Sequence, residues 1–180
     1  CFKLSSVVVA EGNTAYVAID GLLYNADVTE LLFCPAGKSG SVTIPKTVTT
    51  INNPAFRENA GITEIVFEEG GTETLVIGTS STTATTAVFA YCSALERVVL
   101  PERLKELRNY TFYECPSLTE VVIPASVEKI GTYVFAYCDQ LASVKFAENS
   151  ALTSIGNYAF AYSGLESIVI PEQVSSFGTY

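Results

Sequence analysis

The sequence predicts a mostly β repeat solenoid, and three observations carry that expectation. The first is a fixed period. Leu100, Ile123 and Phe146 stand 23 residues apart, as do Pro101 and Pro124, Phe112 and Phe135, Cys115 and Cys138, and Leu118 and Leu141. Apolar, proline and cysteine positions recurring at one spacing mark a unit that stacks on copies of itself. The second is local: the segment L-x-x-V-x-I in each unit alternates with period two, is rich in β-branched residues and ends at proline, the pattern of a short strand. The third is composition. With 48% hydrophobic and 16% charged residues the chain packs rather than staying disordered. Each repeat buries its apolar face only against its neighbours, so residues 1–180 are expected to form a single repeat domain.

In chain order, Cys1, Leu4, Val7 and Val9 read as the tail of a unit. The 35 residues from Val9 to Ile44 break the period. They hold two apolar runs, Tyr16 to Tyr24 and Thr29 to Cys34, around Asn25-Ala26-Asp27-Val28, and Asn and Asp favour turns. An inserted β-hairpin is expected over 16–34, then a turn at Pro35 to Gly40 and a strand at Val42 to Ile44. Ile44 to Phe67 is a regular unit. Phe67 to Leu100 is stretched to 33 residues, with the excess around Glu68 to Glu73 and in the Ser/Thr tract Thr79 to Thr86. Two regular units follow, and then a unit of 24 that gains two residues before Ile155 and loses one before Leu165. Seven strands are expected, ending at Val9, Ile44, Phe67, Leu100, Ile123, Phe146 and Ile170. They stack in parallel about 4.8 Å apart. The return limb, V-x-x-I-G-x-x-A-F-x-x-C, is too short and too β-branched for a long helix, so a brief extended piece and a single turn are expected. Gly131, Gly156 and Gly178 are expected where the backbone needs a permissive residue. Both ends fall inside a repeat and the chain opens at Cys1 without Met, so it reads as a piece of a longer protein.

The unit Ile123-Pro124, Val127, Ile130-Gly131, Val134-Phe135, Cys138, Leu141, Val144 resembles the BspA-type leucine-rich repeat. The insertion, from Ile19-Asp20-Gly21 through Cys34-Pro35-Ala36-Gly37-Lys38, is similar to a hairpin insertion of that family. The resemblance covers essentially the whole chain, with Asn59 and Ser163 departing from the repeat Cys. It implies a leucine-rich-repeat solenoid, a right-handed horseshoe with a concave parallel sheet. It also implies an extracellular or cell-surface protein of anaerobic bacteria or protists, with adhesion and binding of host or extracellular matrix proteins such as fibronectin as proposed roles. No family motif here marks a catalytic site.

Composition narrows the function classes. A net charge of −9 disfavours nucleic acid, whose binding draws on basic surface, and an anionic membrane surface. No apolar run approaches the ~18 residues of a membrane span. The absence of His removes Ser-His-Asp and Cys-His catalysis and the commonest metal ligand. No enzyme activity, cofactor or metal is therefore expected.

Cys92, Cys115 and Cys138 share one repeat slot, and Cys1 falls in the same slot of the partial unit. Side chains of one column point in parallel rather than at each other, which disfavours disulfides. Without C-x-x-C spacing or His, zinc is disfavoured too. A buried column of thiols bonded to loop backbone is expected, all five cysteines being free. Cys34, outside the column, is expected to be the exposed or reactive one.

The last two apolar residues of each strand point inward, so the residues before them point out. Two outward columns follow. The central members of the first are Glu64, Arg97 and Glu120; those of the second are Val66, Val99, Val122 and Lys145. Exposed valines flanked by charge suit a binding strip, although β-propensity and cross-strand packing also place valine there. Tyrosine supplies two return-side columns, Tyr110, Tyr133, Tyr158 and Tyr180, and Tyr91, Tyr137 and Tyr162, suited either to binding or to covering the core edge. The irregular inserts around Asn25 and Ser80 are further places for specificity. The expectation is a non-catalytic interaction module; the alternative is an architectural spacer that displays other domains and has no specific ligand.

Overall fold

The computed structural model describes residues 3–78 and 83–179; Cys1, Phe2, residues 79–82 (Ser80 among them) and Tyr180 lie outside the described residues. The chain winds as a β solenoid of about six turns, here called rungs, with parallel sheets and almost no helix.

The front wall is a five-stranded, all-parallel sheet of β4 (Gly40–Ile44), β6 (Ile62–Phe67), β8 (Arg97–Val99), β10 (Glu120–Ile123) and β12 (Ser143–Phe146). Period-two sequence becomes period-two burial: in β10, Glu120 and Val122 are exposed while Val121 and Ile123 are buried. The return wall is built from two-residue strands. These are β5 (Thr50–Ile51), β7 (Val76–Ile77), β9 (Glu106–Leu107), β11 (Lys129–Ile130), β13 (Ser154–Ile155) and β14 (Ser176–Phe177). A bridge from Leu75 to Leu104 joins its two halves. In the long unit a single 3-10 turn, Ala84–Thr86, is the one helical element among the described residues.

The insertion differs from a two-stranded hairpin. The run from Tyr16 to Tyr24 itself reverses at Asp20-Gly21, both with positive φ, so β1 (Tyr16–Ile19) pairs with β2 (Leu22–Asn25). β2 then pairs antiparallel with β3 (Glu30–Phe33), and β3 runs parallel to β5, which carries the insertion into the return wall.

The front wall has five strands rather than seven. The stretches ending at Val9 and Ile170 lack ladder partners. Near the amino end, Val7 N–H bonds Gly21 O at 2.9 Å and Leu4 O accepts Gly37 N–H at 2.7 Å, so that segment is tied to the insertion and the following turn instead of β4. Near the other end, Gly164 N–H bonds Cys138 O at 3.2 Å in a turn one residue short, and Val169 is left 86% exposed.

A third wall closes each rung, and its hydrogen bonds run along the solenoid axis. Tyr110, Phe112 and Glu114 donate N–H to Thr132, Val134 and Ala136 O of the next rung at 3.0, 3.0 and 2.9 Å. Tyr133, Phe135 and Tyr137 repeat this onto Asn157, Ala159 and Ala161. Alternate amides all point one way because the first and last residue of each turn are left-handed: Tyr110, Glu114, Tyr133, Tyr137, Tyr158 and Tyr162 have φ between 52 and 61°. Such residues cost about 1–2 kcal/mol each outside glycine, a cost offset by the satisfied ladder.

Gly131, Gly156 and Gly178 do not sit at positive φ; the permissive-backbone expectation is corrected. Neighbouring rungs approach so closely there that a Cβ on Gly156 would lie 2.6 Å from the Gly131 carbonyl carbon, and one on Gly178 2.4 Å from Asn157 N. The core between the walls is a phenylalanine stack. Phe89, Phe112 and Phe135 lie 5.2 and 5.5 Å apart, within 4° of parallel, and are fully buried, whereas Phe160 at the end of the row is half-buried.

Candidate functional site

The front wall gathers the sequence-identified site residues on one face. Register places Ser41, Glu64, Arg97, Glu120 and Ser143 in one row across five strands. The neighbouring row holds Thr43, Val66 and Val99, then Val122 beside Lys145. Val99 is 36% and Val122 48% exposed, and Val66 is half-buried. Glu64 accepts a hydrogen bond from Ser41 Oγ at 2.9 Å and pairs with Arg97, while Lys145 pairs with Glu120. The Ser41 hydroxyl first, and the Arg97 guanidinium second, hold the Glu64 carboxyl below the usual carboxylate range. The result is a short apolar strip between two ion pairs, each linking adjacent rungs. A cleft of about 390 Å³ lies along it beside Arg97, Val99, Glu120 and Val122.

The thiols are arranged for packing. Cys92, Cys115 and Cys138 Sγ each donate to the carbonyl oxygen of Phe56, Phe89 and Phe112 in turn, all at 3.2 Å. Burial pushes the thiols of Cys92 and Cys138 up to about 12 and that of Cys115 well above its ordinary value. Cys34 is not the exposed thiol expected. It is 4% exposed, and burial pushes it up to about 12, because β3 joins the return wall and carries the following residue into the core. Among the described residues all four cysteines are free, and no group of three or more Cys, Asp or Glu is placed to hold a metal ion. Nor is any described helix long and apolar enough to cross a membrane.

The tyrosine columns stand on the outside of the third wall. Tyr110, Tyr133 and Tyr158 stack at 5.2 and 4.8 Å, and Tyr137 stacks on Tyr162 at 4.7 Å. The two columns are joined by Tyr113, which belongs to neither and meets Tyr91, Tyr110, Tyr133 and Tyr137 edge-on. Its signal in the sequence was faint, since the same repeat position holds Arg57, Ala90, Ala136 and Ala161. Burial foremost, with the adjacent Glu114 carboxylate, pushes the Tyr113 phenol up to about 12. Tyr91, Tyr137, Glu114 and Asp139 line a cleft of about 420 Å³ with Ser93 and Pro116. The Asn109-Tyr110-Thr111 sequon is engaged internally: Asn109 Oδ1 accepts the Thr132 N–H at 2.8 Å, and Thr111 is buried.

Two residues outside the predicted set also bridge rungs. Arg103 is buried, donating Nη1 to Val48 O at 2.6 Å across the gap left by the long unit. Arg57 lies over the Tyr91 ring, its Cζ 5.2 Å from the centroid.

The sequence pattern described as a BspA type leucine rich repeat region matches six copies over residues 27–74 and 62–180. No curated protein matches the chain. Among solved structures it is similar to a leucine rich cell surface protein from Faecalibacterium prausnitzii A2-165, with 25% identity and a TM-score of 0.73 over 99% of this chain and 42% of that one. It is also similar to the pneumococcal vaccine antigen PcpA, at 25% identity and a TM-score of 0.68 over 98% of this chain and 45% of that one. A leucine-rich repeat protein from Eubacterium ventriosum matches at 25% identity and a TM-score of 0.67, over 98% of this chain and 51% of that one. The chain thus spans about half the length, or less, of each of these three structures.

Proposed function

The chain belongs to the BspA-type leucine-rich repeat family, and on that premise we propose that it is a non-catalytic interaction module, secreted or displayed at a cell surface, that binds a host or matrix protein through the outer face of its front wall. Leucine-rich repeat proteins of this kind are typically protein-interaction scaffolds. The surface location draws support from the similar cell surface protein of Faecalibacterium prausnitzii.

One observation carries the choice of face. Val66, Val99 and Val122 line up as an apolar strip with Glu64–Arg97 and Glu120–Lys145 ion pairs alongside. An apolar centre with a charged rim is how protein interfaces are built, and exposed contiguous valines of adjacent strands are otherwise costly to leave in water. The site residues of the proposal are Glu64, Val66, Arg97, Val99, Glu120, Val122 and Lys145.

The test compares the intact protein with the Val99→Glu, Val122→Glu double variant in pull-downs from host matrix. Both substitutions sit at exposed positions, so the circular dichroism spectrum and Tm are expected to stay close to the parent. Binding by the parent and loss in the variant supports the proposal. Equal binding by both moves the site elsewhere. No binding by either favours the architectural spacer.

A further inference from the structure

The front wall is least tightly laddered between β8 and β10. β10 pairs with β12 at four positions and β6 with β8 at three, but β8 and β10 pair only at Arg97 and Glu120. Part of the cause is a missing donor. Ala147 N–H closes the end of the β10–β12 ladder on Ile123 O at 3.0 Å, and Glu68 N–H closes β4–β6 on Ile44 O at 2.9 Å. Pro124 holds the same repeat position for β8 and β10 and has no N–H, so Leu100 O is left without that bond.

This seam is where the cleft of about 390 Å³ opens. Val99, Val122, Leu100 and Pro124 make its apolar lining, and Glu96, Arg97, Glu102 and Glu120 stand around it. Arg97 and Glu120 are already neutralised by Glu64 and Lys145. Glu96 and Glu102 are exposed and, among the described residues, form no ion pair. They flank Val99 three residues to either side, so an uncompensated carboxylate stands at each end of β8.

Charge, lining and length together specify an occupant. Two uncompensated carboxylates around an apolar lining call for basic groups around an apolar centre. From Glu96 to Glu102 is six residue steps, at most about 20 Å of extended chain, which an extended segment of about seven residues matches. Alternate side chains of such a segment face the wall together. We infer that this cleft takes an extended segment of the partner protein lying along β8, with apolar side chains against Val99 and Val122 and a basic residue at each end, against Glu96 and Glu102. This rests on the front-wall reading above and adds to it the chemistry of the partner. The net charge of −9 favours approach of a basic segment.

The probe is a capped Lys-Thr-Leu-Thr-Leu-Thr-Lys peptide titrated into the isotopically labelled protein at low salt, read by amide chemical shifts. Shifts are expected to concentrate over residues 96–102 and 119–122. Affinity is expected to fall about threefold in Glu96→Gln and in Glu102→Gln, as for exposed charge pairs, and to stay unchanged in Glu172→Gln, an exposed acid three rungs away. All three changes are nearly isosteric at exposed positions, so spectra elsewhere should match the parent. One control peptide carries Glu in place of both Lys, and another carries Thr in place of both Leu. Each is expected to bind about tenfold more weakly. No shifts with the lysine peptide, equal binding of either control, shifts spread evenly over the acidic surface, or unchanged affinity in both glutamine variants would each overturn the inference. Matrix pull-downs separate its failure from that of the front-wall reading. Binding lost in the Val99→Glu, Val122→Glu variant but unchanged in the Glu96→Gln, Glu102→Gln variant sinks this inference alone; equal binding in the valine variant sinks both.

Discussion

The Cys115 thiol donates a hydrogen bond to the carbonyl oxygen of Phe89, 3.2 Å away on the preceding rung. The contact recurs from Cys92 to Phe56 and from Cys138 to Phe112. Asn59 occupies the slot one rung before Cys92 and does similar work, its Nδ2 donating to Pro35 O at 3.1 Å. The slot thus takes a small side chain that donates backward, which both cysteine and asparagine supply.

That burial sets the alkaline limit of the fold. A thiol raised in the native state contributes stability in full below its unfolded pKa of about 8.5, and loses it as pH climbs toward the native value near 12. Each such thiol gives up about 1.4 kcal/mol per pH unit over that window. Tm is expected to drop steeply between about pH 9 and 11, and less steeply in Cys115→Ser. In native protein at neutral pH none of Cys34, Cys92, Cys115 and Cys138 should react with a thiol reagent. The denatured, unreduced chain should titrate all five cysteines; a count of one or three would contradict the free-thiol arrangement.

Phe135 lies in the stack between Phe112 at 5.5 Å and Phe160 at 5.7 Å, nearly parallel to both and fully buried. Phe135→Ala opens a cavity bounded by rungs whose spacing is fixed by backbone ladders, so little collapse is available. A loss of about 3–5 kcal/mol is expected in urea unfolding. The same change at half-buried Phe160 should cost clearly less.

Gly156→Ala tests why glycine recurs in the return limb. With a Cβ 2.6 Å from the Gly131 carbonyl carbon and 2.7 Å from Thr132 N, the rungs must part. A destabilisation of about 1–3 kcal/mol is expected, with faster amide exchange at Gly131 and Thr132. Equal stability to the parent would show that rung spacing is softer than the ladder implies.

The Glu64 carboxyl, held below its usual range first by Ser41 and then by Arg97, gives the front wall a pH dependence of opposite sign. A lowered carboxyl contributes stability above its unfolded pKa of about 4.3, and loses it as pH falls toward the still lower native value. Glu64→Gln is therefore expected to lower Tm at pH 7 and to converge on the parent in acid. Added salt should narrow the neutral-pH difference, because the pair is exposed.

The sequence by itself determined the repeat. Spacing such as Cys115 to Cys138 and the strand pattern of Glu120 to Ile123 are local, period-bound signals, and the outward placement of Val99, Val122, Glu64 and Arg97 follows from strand alternation alone. What only the tertiary structure decided lies where rungs meet. The left-handed turns at Tyr133 and Tyr137 arise because alternate amides must all point along the axis, a demand no single repeat reveals. The true reason for Gly156 is the next backbone 2.6 Å away. The burial of Cys34 depended on β3 joining the return wall, a pairing set between distant segments. The end strands failed for the same reason: pattern proposes a strand, but a neighbour in register makes one.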